Sequence, residues 1–215
     1  MEIYETEEEQ VEALKRWWKT NGTSIITGIV VAIVIVFSWK YWQSYQADLT
    51  TEASNFYGEL LSAQKEGKTE SALKIAERLV QQYETTPYAE FSALFQAKIN
   101  VDNNDYDAAK EVLRKLVTTA QGEINHIARI RLIRLLLATE DYDTGLQLIA
   151  EVNPTQAESF EGIYQELTGD LYVALERRGE ARTAYQNAVR KGRNTPLMQL
   201  KINDLTISEI IEIKE

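Results

Sequence analysis

Hydrophobic residues follow two different patterns along this chain. Between residues 20 and 39 (TNGTSIITGIVVAIVIVFSW) there is no charged side chain, and Ile25 to Phe37 is almost wholly Ile, Val and Ala. A helix rises about 1.5 Å per residue, so twenty residues span roughly the hydrocarbon core of a bilayer. β-branched residues are poor helix formers in water, but in lipid every backbone N–H and C=O must be bonded within the segment, which leaves helix for a lone span. Aromatic residues flank both ends: Trp17 and Trp18 before, Trp39, Tyr41 and Trp42 after. Indole and phenol rings favour the headgroup layer, so these five are the expected membrane-interface residues. A buried core helix of this length would seldom lack charge. A cleavable signal peptide needs a shorter apolar region, a basic start and small residues at the cut, whereas Trp39-Lys40-Tyr41-Trp42 is bulky and the start is acidic. The segment predicts a retained anchor over 20–42.

Orientation is set by lysine and arginine near the span. Lys15, Arg16 and Lys19 precede it and Lys40 alone follows closely, the next basic residue being Lys65. Three against one predicts a cytoplasmic tail over 1–19 and a far-side domain over 43–215.

From residue 43 apolar and polar positions interleave with no sustained period-two alternation, so this part reads as helix throughout. The expected helices are 44–66, 70–84, 87–102, 106–120, 123–140, 142–151, 156–177 and 179–192. The three prolines fall at the breaks: Thr86-Pro87 as an N-cap with Pro at the first helical position, Pro154 ending a helix ahead of a Thr155/Glu158 capping box, and Pro196 closing the last full hairpin. With no Gly, Pro or Ser-rich linker between Trp42 and Phe56, the anchor helix is expected to run on into the first helix of the domain and hold it near the membrane.

The domain repeats itself. Asp105-Tyr106-Asp107 recurs as Asp141-Tyr142-Asp143, a step of 36 residues, and the small residues Ala109, Gly145 and Ala181 follow the same step. Ala97 and Gly169 are small one helix earlier, with Ile133 between them. The stretch from Leu167 to Ala188 is similar to the tetratricopeptide consensus at Gly169, Tyr172, Ala181, Tyr185 and Ala188. Small residues at facing positions let the two helices of a hairpin approach, while aromatic ones fill the gap to the next. Ala97, Ala109, Gly145, Gly169, Tyr172, Ala181, Tyr185 and Ala188 are therefore the expected repeat-packing residues. The predicted fold class is all-α: one N-terminal transmembrane helix followed by a tetratricopeptide-like solenoid of helical hairpins. Its C-terminal segment from Thr195, with Ile207, Ile210, Ile211 and Ile213, would cap the last hydrophobic face.

Charge and composition narrow the function. The chain carries 23 Lys and Arg against 33 Asp and Glu, a net −10. An acidic far-side domain suits neither phosphate backbones nor anionic headgroups. There is no cysteine and His126 is the only histidine, so neither disulfides, thiol chemistry nor a metal cluster is expected. Glycine-rich phosphate-binding motifs are absent. The Asp105/Asp107 and Asp141/Asp143 pairs sit at helix starts, where carboxylates complement the helix dipole. The sequence predicts a protein that is not an enzyme and takes no cofactor. Arg129, Arg131 and Arg134 form one basic stripe on the acidic domain, read as a solvated face or a docking site for an acidic partner segment.

The two ends carry a family resemblance. Met1 to Glu5, Glu9-Gln10-Val11-Glu12-Ala13-Leu14-Lys15-Arg16-Trp17-Trp18, Asn21-Gly22 and Trp39-Lys40-Tyr41-Trp42-Gln43-Ser44, with Thr195-Pro196 and Met198 to Leu205, resemble the YfgM family of ancillary SecYEG translocon subunits. The resemblance implies an inner-membrane protein with a cytoplasmic N-terminus and a periplasmic domain. It also implies association with SecYEG and with the periplasmic chaperone PpiD, hand-over of unfolded exported clients to periplasmic chaperones, and a link to Rcs-type envelope stress. An alternative function is a membrane-bound regulator whose cytoplasmic tail contacts a response regulator.

Overall fold

The computed structural model describes the backbone of residues 7–212 and the side chains of residues 9–205, residue 156 excepted in both. The described residues form α1 (Glu7–Lys65), α2 (Thr69–Gln82), α3 (Pro87–Asp102), α4 (Tyr106–Thr119), α5 (Gly122–Ala138), α6 (Tyr142–Ala150), a 3-10 turn (Glu158–Phe160), α7 (Glu161–Ala174), α8 (Arg178–Arg190) and α9 (Pro196–Glu212), with no strand among them. The chain divides into two units between Glu52 and Ala53, inside α1.

The first unit is the leading part of α1, which is unbroken through its whole range. From Ile26 to Trp42 its large apolar side chains are exposed on every face. A helix that is apolar all round is one that meets lipid or a buried core, and this one has no core around it. Three of its polar side chains close onto the helix itself. Thr20 Oγ1, Asn21 Nδ2 and Thr27 Oγ1 donate to the carbonyls of Arg16, Trp17 and Thr23 at 3.1, 3.1 and 2.8 Å. Such bonds to the carbonyl four residues back give these groups partners inside the helix.

The second unit is a succession of helical hairpins, with consecutive helices α2 to α6 packed on one another and α7 packed on α8. The end of α1 supplies the first hairpin helix: Ala53, Leu60 and Ala63 are buried there, and Phe56 meets Tyr83 with ring centroids 5.8 Å apart. The amphipathic second helices follow from sequence. In α4 the apolar Ala109, Leu113 and Leu116 recur at helical spacing and are buried, against Ala93, Leu94, Ala97, Ala128, Leu132 and Leu136.

The 36-residue step reappears in backbone geometry. Asn104, Glu140 and Glu176 all adopt left-handed conformations, with φ of 60°, 62° and 59°, and Gly67 does so at 72° in the first hairpin. At each turn the following residue donates back across five residues: Lys68 to Ala63, Asp105 to Asn100, Asp141 to Leu136 and Arg177 to Tyr172, at 2.8–2.9 Å. These are Schellman-type helix ends, satisfying carbonyls that would otherwise be orphaned. Glutamate is an uncomfortable occupant of that conformation, costing about 1 kcal/mol more than glycine. Glu140→Gly is therefore expected to stabilise the fold by roughly 0.5–1 kcal/mol, read as a raised urea midpoint for the full chain. A lowered midpoint would show that the Glu140 side chain does more than occupy the turn.

Four local expectations are corrected. The helix expected over 156–177 is shorter: α7 begins at Glu161 after the 3-10 turn. The Thr155/Glu158 capping box does not form, because Thr155 is held by its neighbour instead, its N–H and Oγ1 both bonding to Asn153 Oδ1 at 3.1 and 2.6 Å. Pro154 does not end a helix directly, since α6 stops at Ala150. Pro196 opens a helix instead of closing a hairpin: Thr195 Oγ1 accepts from Met198 N–H at 3.2 Å and α9 follows. Thr86 stands at the N-cap of α3 with Pro87 next, but its hydroxyl donates backwards to Tyr83 O at 2.8 Å. Capping of the solenoid's end comes from Met198, Ile202 and Leu205, which pack with Tyr172, Ala181, Tyr185, Ala188 and Val189. The side chains of Ile207, Ile210, Ile211 and Ile213, and of Met1 to Glu8, lie outside the described residues.

Candidate partner-binding face

The expected repeat-packing residues do not all take the same part. Ala97, Ala109, Ala181, Tyr185 and Ala188 are buried, and Tyr172 is partly buried under the guanidinium of Arg177, 4.5 Å from its ring centre. Gly145 lies against Leu171, where an added Cβ would come to 3.0 Å of its Cδ2. Gly169 is the tightest position. A Cβ there would stand deep inside contact distance of the Tyr185 ring, which is itself fixed by a 2.8 Å hydrogen bond from its hydroxyl to Asp170 Oδ1. Burial, with the adjacent Asp170 and Glu166 carboxylates, pushes the Tyr185 phenol far above its ordinary value. Gly162 escaped sequence reasoning: it faces the Lys191 carbonyl at the end of α8, with room for no side chain.

Around Tyr185 lies a polar lock between α7 and α9. Arg193 donates to Glu166 Oε2 through Nε and Nη2 at 3.0 and 2.5 Å, and Lys201 Nζ bridges Glu166 Oε1 and Asp170 Oδ1 at 3.2 and 2.6 Å. Burial raises the Glu166 carboxyl pKa, but the Arg193 and Lys201 hydrogen bonds and charges outweigh it and hold the group below the usual carboxylate range.

His126 is a core residue. Its Nδ1 and the Tyr164 hydroxyl are hydrogen-bonded at 2.9 Å, and its ring stacks on Phe160 with centroids 4.9 Å apart. Burial raises Tyr164 to about 12, a rise that Arg129 tempers. No group of three or more His, Cys, Asp or Glu could hold a metal among the described residues.

The basic stripe is divided by the fold. Arg129 serves the interior, its side chain 12% exposed and its Nη1 donating to Leu148 O at 2.9 Å. Arg131 and Arg134 are exposed. They line a depression of about 330 Å³ between α3 and α5 with Lys98, Ala97, Val101, Leu113, Leu135 and Ala138. Beside it on α3, Tyr88, Phe91 and Phe95 gather around Tyr57 of α1, with ring centroids 5.6, 6.1 and 6.4 Å from it. Tyr88, Phe91, Phe95 and Lys98 follow at steps of three and four residues, one stripe along one helix face. Phe91 remains 37% exposed. This mixture of aromatic ledge and cationic depression suits capture of a polypeptide.

In the first unit Trp17, Trp18, Trp39, Tyr41 and Trp42 are all exposed. Trp39 and Trp42 pair at 5.4 Å, and the Trp18 indole folds back over Gly22, the one position of that turn without a Cβ to block it.

A solenoid of helical hairpins joined to a helix long and apolar enough to cross a membrane defines the class of protein. The family model for the tetratricopeptide repeat-like domain matches residues 15–207. Two relatives, both called "Ancillary SecYEG translocon subunit", are 31% identical to the chain: one from Escherichia coli K12 over 96% of the chain and 100% of its own length, the other from Haemophilus influenzae over 93% and 97%. The chain belongs to this tetratricopeptide repeat-like family of ancillary SecYEG translocon subunits. Among solved structures, a MamA double mutant matches with a TM-score of 0.58 and 19% identity over 73% of this chain and 84% of that one. A putative kinesin light chain with nearly identical TPR-like repeats matches with the same score at 16% identity, over 77% and 90%. Both likenesses concern the fold.

Proposed function

We propose that this chain is a non-enzymatic scaffold of the bacterial inner membrane, an accessory of the SecYEG translocon that couples exported proteins to periplasmic chaperones. The observation that carries the reading is near-full-length similarity to ancillary SecYEG translocon subunits, covering the apolar helix and the solenoid together. The charge-free stretch of α1 is the anchor, with Trp17 and Trp18 at one interface and Trp39, Tyr41 and Trp42 at the other. The excess of Lys15, Arg16 and Lys19 over Lys40 puts the N-terminus in the cytoplasm and the solenoid in the periplasm. Ala97, Ala109, Gly145, Gly169, Tyr172, Ala181, Tyr185 and Ala188 act as packing residues that set the hairpin stack, and the stack presents its surface to PpiD and to emerging clients. Stacked hairpins offer extended surfaces suited to such capture.

Two measurements test this. A reporter enzyme active only outside the cytoplasm, fused after Glu215, should be active. The tagged full chain, extracted in mild detergent, should bring SecY with it. A silent reporter would reverse the topology, and a tagged chain recovered without any translocon subunit would sink the accessory role.

A further inference from the structure

We propose that the depression between α3 and α5 is a docking site for an internal acidic segment of a partner protein, one apolar side chain entering the depression and flanking carboxylates meeting Arg131 and Arg134. The inference rests on the scaffold reading above and adds the chemistry of what the scaffold holds.

The floor is apolar. Ala97 and Val101 of α3, Leu113 of α4, and Leu135 and Ala138 of α5 enclose about 330 Å³. α5 and α7 pack directly on each other, whereas α3 and α5 meet only sparsely, and the gap between them is this depression. An apolar recess open to solvent favours an apolar occupant.

The rim is cationic on an acidic protein. Lys98, Arg131 and Arg134 border the recess. Lys98 is already matched by Asp102, 2.6 Å away on α3. Arg131 spends one Nη1 donor on the Leu94 carbonyl at 3.1 Å, which ties its guanidinium to α3 at the edge of the recess, and it has no carboxylate partner among the described residues. Burial, and then the neighbouring Arg134, lower the Arg131 pKa: two like charges share one side of the opening. Other arginines of the domain do have carboxylate partners, Arg177 in Glu180 and Arg193 in Glu166. A carboxylate placed between Arg131 and Arg134 would relieve their repulsion and accept charge-assisted hydrogen bonds. The aromatic ledge of Tyr57, Tyr88, Phe91 and Phe95 extends along the same helix and gives the segment apolar purchase beyond the recess.

The experiment uses the full chain in phosphatidylcholine nanodiscs and fluorescence anisotropy. The probe is a labelled twelve-residue peptide of leucine and glutamate, blocked at both ends; its counterpart has lysine for every glutamate. The glutamate peptide is expected to bind, to weaken with added salt, and to lose roughly tenfold or more in affinity on Arg134→Glu. Arg134 makes no hydrogen bond or ion pair among the described residues, so this variant should fold normally by circular dichroism. It should also shift preference towards the lysine peptide, which a merely damaged surface would not do. Equal binding of both peptides, or no effect of Arg134→Glu, would overturn the proposal. So would binding that requires a free C-terminal carboxylate, or an Arg134-dependent attachment to phosphatidylglycerol vesicles without peptide binding. Peptide binding without recovery of SecY would sink the translocon role and leave the groove; recovery of SecY without peptide binding would do the reverse.

Discussion

Gly169→Ala is expected to destabilise the solenoid by roughly 1–3 kcal/mol, the range for forcing a methyl into a filled core. The new Cβ would meet the Tyr185 ring head-on. That ring cannot swing aside easily, because it is buried and its hydroxyl is tied to Asp170 at 2.8 Å. Alanine is the better helix former by about 1 kcal/mol, so the observed loss is what remains after that gain. Gly58 provides the internal control: it also lies within a helix but has nothing within 4 Å of an added Cβ. Gly58→Ala should raise the urea midpoint of the full chain while Gly169→Ala lowers it. Equal shifts of the same sign would mean that propensity, not the close approach of α7 and α8, governs these positions.

The second large effect is at Glu166. Replacing it by Gln leaves Arg193 and Lys201 without their shared carboxylate and should cost about 1–3 kcal/mol at neutral pH, the range for hydrogen bonds to charged groups. The sign of the pH dependence follows from the lowered carboxyl pKa in the folded state. The contribution is complete above the ordinary glutamate pKa and is lost as pH falls through the lower, folded-state value. The native chain should therefore lose stability below about pH 4.5 more steeply than Glu166→Gln. Parallel acid profiles would show that the lock between α7 and α9 adds nothing to stability. Because Lys201 also holds Asp170 at 2.6 Å, the variant tests the lock and not the presence of α9 as such.

What the sequence could and could not reveal divides along physical lines. The 36-residue step was visible because identical turns ask for similar residues: Asp105 and Asp141 recur, and Asp105 Oδ1 does accept from Ala108 N–H at 3.1 Å. The deeper periodic signal was hidden. The left-handed residues Asn104, Glu140 and Glu176 share a conformation but not a residue type, and two of the three are not turn formers. The apolar helix and its continuation into the first hairpin were legible, since neither a charge nor a breaker interrupts them. The segment from Thr195 was legible as a cap; of its described side chains Met198, Ile202 and Leu205 pack on the last hairpin, and the Ile-rich end lies outside the described side chains. The basic stripe of Arg129, Arg131 and Arg134 was read as one feature. Neighbouring positions on a helix face different ways, so Arg129 turned inward to Leu148 and only the other two reached the groove. The aromatic ledge could not be read at all, because Tyr57 lies more than thirty residues from its partners in sequence and meets them only through the hairpin stack.

The central claim is that α1 places this scaffold at the export channel. Its exposed apolar side chains at Ile29, Val34 and Phe37 point away from the helix with no partner in the chain's own core. The most direct measurement puts a photocrosslinking amino acid at each of these positions in turn in the full chain, in intact cells, and identifies the adducts. The account predicts an adduct with a translocon subunit from at least one of the three. Crosslinks to neither a translocon subunit nor PpiD from any of them would contradict it.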